Sequence, residues 1–164
     1  MMTKAISRGM IMVAGLLTAT TPADPDPRPA DFIVKTDPRL IRIKQYFLER
    51  ECPAHMFAED FVAAADQHDL DWRLLPSLSM IESTGGKESV NNNMFGWDNC
   101  KEGFRSDRDG IYRVASRLGS SRLYRNKSID QILRTYNPNL EYAPRVKAVM
   151  RQFGPADLVP EGIF

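Results

Sequence analysis

Hydrophobic side chains recur at intervals of three and four along most of the chain from residue 37 onward, the mark of helices that bury one face. Asp37-Pro38 predicts a start, with a capping acid and proline at the first helical position. Leu40, Ile41, Phe47 and Leu48 then supply a buried side, bordered by Ile43. A second helix is expected from Pro53, presenting Phe57, Phe61, Ala64 and Ala65 to the core, with His68 near its exit. Asp71 is the expected cap of a third helix carrying Leu74, Leu75, Leu78 and Ile81, stopped by Gly85 and Gly86. Pro76 lies beyond the free first-turn amides of a helix capped at Asp71, so either the helix starts later or it bends.

The pattern lapses between Gly85 and Asp107, a stretch rich in Asn and Gly and interrupted by Met94, Phe95, Trp97 and Phe104. A short two-stranded element fits there, and its aromatic residues suit either a cleft wall or a plain structural connection. Regularity returns with Ile111, Val114, Ala115 and Leu118, capped by Ser106, Asp107 or Asp109 and stopped by Gly119. Ser128 with Gln131 predicts a capping box ahead of Ile129, Ile132 and Leu133. A last helix is expected from about Tyr142 to Phe153, ended by Gly154-Pro155, after which Leu158 or Phe164 folds back. Five or six helices around a short irregular lobe give a mostly helical α+β domain.

With 164 residues and 43% hydrophobic composition, the chain suits one globular domain, here residues 31–164. Residues 1–30 differ: Lys4 and Arg8 precede the apolar run Gly9–Ala19, followed by small residues and a Pro/Asp stretch. This reads as a secretory leader cleaved near Ala19 or Ala23, then a flexible spacer, with a disordered N-terminus as the alternative. The apolar run is about half the ~20 residues a spanning helix needs, so stable membrane insertion is not expected. Export, to the periplasm or beyond, follows from a leader. Residues 1–30 hold three basic and two acidic side chains, which leaves 19 of each sign in the remainder. Nucleic-acid binding is not expected without a basic excess, and an uncharged or mixed-charge partner fits better.

Glu82 stands on the apolar face of the third helix, four residues after Leu78 and eight after Leu74. Desolvation there raises a carboxyl pKa and makes a general acid near neutral pH, whereas an ordinary glutamate at a helix end is solvated or salt-bridged. Both readings stand on periodicity alone. Cys52 and Cys100 are the only cysteines. An exported chain permits a disulfide between them, closing about 50 residues and contributing roughly 2 to 4 kcal/mol. His55 and His68 lack a recognised ligand spacing, so no metal and no cofactor are expected.

The strings LDWRLLPSLSMIESTGGK and NNNMFGW resemble the lysozyme-like superfamily of peptidoglycan-cleaving enzymes, especially bacterial endo-β-N-acetylglucosaminidase domains and soluble lytic transglycosylases. Glu82-Ser83 and Asn93-Met94-Phe95-Gly96 carry the likeness. It continues through Gly110–Ala115 and reaches Tyr136-Asn137-Pro138-Asn139-Leu140 with Tyr142-Ala143, covering about residues 37 to 153. The resemblance implies a lysozyme-like fold with Glu82 as catalytic acid and Ser83 positioning substrate or carboxylate. It places Asn93, Met94, Phe95 and Gly96 along the groove, with Tyr136 and Asn137 across it. Met94-Phe95-Gly96-Trp97 stands where transglycosylases carry Gly-Leu-Met-Gln, closer to the glucosaminidase relatives.

The implied substrate is a peptidoglycan glycan strand cut at a β-1,4 bond, and the implied setting is a monomer working on the cell wall or within an envelope-spanning assembly. Lytic chemistry needs one titrating carboxyl, Glu82, and leaves a 1,6-anhydro end. Hydrolysis by a glucosaminidase or muramidase needs a second carboxyl about 5 to 9.5 Å away, drawn from Glu88, Asp98, Glu102, Asp107 or Asp109. A non-catalytic glycan-binding or structural module is the third reading.

Overall fold

The computed structural model describes residues 37–101 and 103–158. Among them the chain forms six α-helices: α1 (Pro38–Leu48), α2 (Ala58–Gln67), α3 (Leu74–Ser83), α4 (Asp107–Ser120), α5 (Ile129–Tyr136) and α6 (Tyr142–Phe153). Short 3₁₀ turns occupy Pro53–Phe57 and Trp97–Cys100. Residues 1–30, Glu102 and Phe164, and with them the leader and cleavage site, lie outside the described residues.

The helix starts follow side-chain chemistry. Asp37 accepts from the Arg39 amide at 2.9 Å ahead of Pro38, and the Arg39 guanidinium bridges Asp37 and Asp66 at 2.7 Å each, tying the start of α1 to the end of α2. Ser106 caps α4 through the Asp109 amide, and Ser128 with Gln131 forms the expected capping box of α5. The third helix starts later than Asp71. With Leu74 as its first residue, Pro76 occupies the first turn, where its missing N–H leaves no bond unmade, and the helix need not bend there. At the other end the left-handed turn begins at Thr84 (φ 52°) and continues through Gly85 and Gly86 at φ 61° and 89°, and the Gly85 amide closes back on Ser79 O at 3.0 Å.

Two helices depart from the expected pattern. In α1 the buried face is Ile43, Tyr46 and Phe47, while Ile41 and Leu48 point outward, so the stripe is rotated from the one anticipated. In α4 Gly119 does not end the helix, which continues to Ser120. A Cβ at Gly119 would stand 2.5 Å from the His68 carbonyl, so this glycine lets α4 press against the exit of α2.

Helix α3 lies against α2 and α6, α1 against α2 and α6, and α4 against α2. Phe47, Phe61 and Phe153 are fully buried where these helices meet, with Tyr46 and Trp72 packed edge-on or tilted around them. The residues just before α3 are fastened to those just after α6: Trp72 Nε1 donates to Ala156 O at 3.2 Å and Arg73 Nη1 to Gly154 O at 2.9 Å. Leu158 packs against the core beyond that point.

The α+β class is overturned. No strand occurs among the described residues; Val90 and Asn93 form one isolated antiparallel bridge around Asn91 and Asn92, both left-handed at φ 55° and 57°. Two left-handed residues make a hairpin-type turn, but no alternating pattern flanks it to extend the pairing. The domain is therefore all-α where it is described, and the lysozyme-like assignment, which carries a small β lobe, is corrected with it. No helix among the described residues is long and apolar enough to cross a membrane.

The expected disulfide is absent: Cys52 and Cys100 are both free thiols. Cys52 is buried at the exit of α1 with its thiol directed to Arg50 O at 3.4 Å, whereas Cys100 is half-buried in the left-handed turn after Trp97.

Candidate functional site

Glu82 occupies the last turn of α3 and is half-buried. Its Oε1 accepts a hydrogen bond from the Tyr142 hydroxyl at 2.5 Å. Its Oε2 faces Gly96, where a Cβ would stand only 2.8 Å away. Gly96 is left-handed (φ 59°), so two constraints, backbone conformation and contact with the carboxylate, favour glycine there. Burial raises the Glu82 pKa above its ordinary 4.5; the Tyr142 hydrogen bond and the Arg145 charge pull the other way and do not cancel it. The Tyr142 phenol is itself held above its usual value by burial and by its bond to Glu82.

From Tyr142 an aromatic series runs outward. Tyr136 stacks on Tyr142 with ring centres 6.0 Å apart, and Trp97 meets Tyr136 edge-on at 5.6 Å and Tyr124 at 6.1 Å. The Tyr136 hydroxyl donates to Phe95 O at 2.5 Å, which locks the end of α5 to the loop after α3. Trp97 is held in place by its backbone: its N–H donates to Asn93 Oδ1 at 3.0 Å and its carbonyl accepts from Asn93 Nδ2 at 2.8 Å. The Arg117 guanidinium lies 5.5 Å from the Trp97 ring centre. Trp97, Asp98, Asn99, Arg117, Tyr124 and Tyr136, with Gly96 at the floor, line an open groove of about 490 Å³.

These positions sort the residues that sequence singled out. Glu82, Gly96 and Tyr136 come together. Ser83 is buried, donating from Oγ to Met94 O at 2.7 Å and accepting from the Gly86 amide at 3.1 Å, so it fastens the loop to α3. Asn93, Met94 and Phe95 are buried as well: they support the groove from beneath. Asn137 turns its Oδ1 to the Asn139 amide at 3.0 Å and shapes the α5–α6 connection. Tyr142, Arg145, Arg117 and Tyr124 contribute to the site or its electrostatics without having been anticipated. Tyr142 falls in register with the core positions of α6, and nothing in local spacing distinguishes a core tyrosine from one that reaches a carboxyl 60 residues earlier.

The glycosidase reading is overturned on the same geometry. Among the described residues, which leave out Glu102, the groups that shift Glu82 are Tyr142 and Arg145, so no carboxyl is seen paired with it. Asp109 is engaged with Arg113 and the Arg105 amide, and Asp98 stands on the outer lip of the groove. The single-acid lytic route fares no better: Glu82 is not among the groove's lining residues, and one of its oxygens is engaged by Tyr142 while the other faces Gly96. With no β lobe to make an opposing wall, neither a lytic transglycosylase nor a glucosaminidase is supported. Among the described residues no group of three His, Cys, Asp or Glu side chains is placed to hold a metal ion.

Compared with protein-family models and with curated proteins, the sequence matches none.

Proposed function

We propose that this chain is a binding module whose ligand lies in the groove beside Trp97. The observation that carries the reading is a half-buried tryptophan fixed from behind by Asn93, flanked by two tyrosines, and bordered by a cation at Arg117 and an anion at Asp98. Such a surface suits a ligand with an apolar face to lie on the ring and with hydroxyl, amide or mixed-charge edges to meet Asp98, Asn99 and Arg117. Glu82 serves as a positioning residue, supporting Gly96 from below and, through Tyr142, the stacked Tyr136. The glycan strand of peptidoglycan carries ring faces and amide and hydroxyl edges, and is the ligand we assign first. A leader over residues 1–30, ahead of one domain at 31–164, supports delivery to the periplasm or the exterior.

Titration with soluble peptidoglycan fragments, followed by tryptophan emission, tests this. The chain has two tryptophans, and Trp72 is buried and bonded to Ala156 O, so the response belongs to Trp97. A saturable change that is lost in Trp97→Ala and weakened about tenfold in Arg117→Ala is expected, the latter equivalent to roughly 1.4 kcal/mol. A flat titration into the millimolar range would remove the reading.

A further inference from the structure

Exposed apolar side chains gather on a second face, away from the Trp97 groove. Ile41, Leu48 and Met56 are 50%, 48% and 63% exposed. All three line one concavity of about 510 Å³ formed by α1, the Pro53–Phe57 turn and the start of α2. Lys44 and Glu59 are exposed on the same concavity, and neither makes an ion pair within the chain among the described residues. Solvent-facing aliphatic groups in a cluster mark a contact surface, and here opposite charges accompany them.

We propose that this face pairs with the same face of a second copy of the chain. Ile41 and Leu48 are seven residues apart on one side of α1, symmetric about the peptide between Lys44 and Gln45. Antiparallel packing of two α1 helices about a two-fold axis sets each Ile41 against Leu48 of the second copy. Lys44, close to the axis, reaches Glu59 of the second copy, and symmetry supplies the reciprocal pair. Self-complementarity of this kind is what an isologous contact requires. A strongly acidic or basic partner would satisfy one of the two charges and oppose the other, whereas a second copy satisfies both. The formal net charge of +1 sets little repulsion between copies. The proposal does not depend on the ligand assigned to the Trp97 groove.

Sedimentation equilibrium on the full chain decides it. A concentration-dependent monomer–dimer equilibrium is expected, abolished by Ile41→Glu. Because residue 41 is half exposed, that variant keeps its helical circular dichroism and thermal midpoint. Lys44→Glu and Glu59→Lys each weaken the dimer by about tenfold, and the double variant restores it, as a direct charge pair demands. A chain that stays monomeric throughout, leaving the face to a different partner, overturns the proposal. So does an Ile41→Glu dimer of unchanged strength, or a double variant no better than the singles.

Discussion

Burial of the Glu82 carboxyl favours the protonated acid, and the opposing pull of the Tyr142 hydrogen bond on one oxygen and of the Arg145 charge does not cancel it. The consequence for stability has a definite sign. A carboxyl whose pKa is higher in the folded than in the unfolded chain binds its proton more tightly when folded. Its stabilising effect is therefore full below about pH 4.5 and is lost as pH rises through the raised folded value. Glu82→Gln keeps an acceptor for Tyr142 and removes the ionisation. We expect its thermal midpoint to exceed that of the parent at neutral pH and the gap to narrow toward pH 4, in paired melts across that range. A gap that is constant with pH would mean that burial does not perturb this carboxyl. At this scale the apolar register of Glu82 was legible in the sequence, because helical periodicity is local. Its partners were not: Tyr142 and Arg145 lie on α6, Gly96 on a loop, and only the packing of α3 on α6 brings them together.

Between elements, α4 comes close to the exit of α2 at Gly119. The helix it was expected to stop continues, and the missing side chain is used instead to bring α4 against His68, where a Cβ would lie 2.5 Å from the carbonyl oxygen and 2.8 Å from the His68 Cβ. Gly119→Ala improves intrinsic helix propensity by up to about 1 kcal/mol, but the overlap is with backbone and is not relieved by a rotamer change. A net loss of about 2 kcal/mol is expected, read as a lower urea midpoint with an unchanged slope. A stabilised variant would show that α2 and α4 separate freely.

Helix boundaries were readable where side-chain chemistry sets them, at Asp37-Pro38, at Ser128 with Gln131, and at Gly154. The turn of α1 about its own axis was not. Ile41 and Leu48 are as apolar as Ile43 and Phe47, and only the positions of α2 and α6 decide which set is covered. The missing β lobe has a related cause. An Asn-rich turn looks the same whether or not strands flank it, and here Met94 and Phe95 go into the core as separate anchors.

For the whole molecule, the connection from α6 back to the start of α3 closes the helices around Phe47, Phe61 and Phe153. Trp72 Nε1 and the Arg73 guanidinium both end on carbonyls beyond α6, at Ala156 and Gly154. A chain ending at Phe153 loses both acceptors and the packing of Leu158. We expect it to fold with about 2 kcal/mol less stability, and its Trp72 emission to shift to the red as the indole N–H meets water. Unchanged denaturation and emission would show the closing residues to be dispensable. The five or six helices were legible because each writes its own period, whereas the α+β class drawn around them was not borne out. Long-range pairings such as 73 with 154 have no signature of their own.

That fastening also orders events in the life of the chain. Residues 72 and 73 emerge from the ribosome some eighty positions before the carbonyls they hold, so the helices cannot be fastened until residue 156 has been made. Until then the nascent polypeptide is open, a condition in which a protease can cut it.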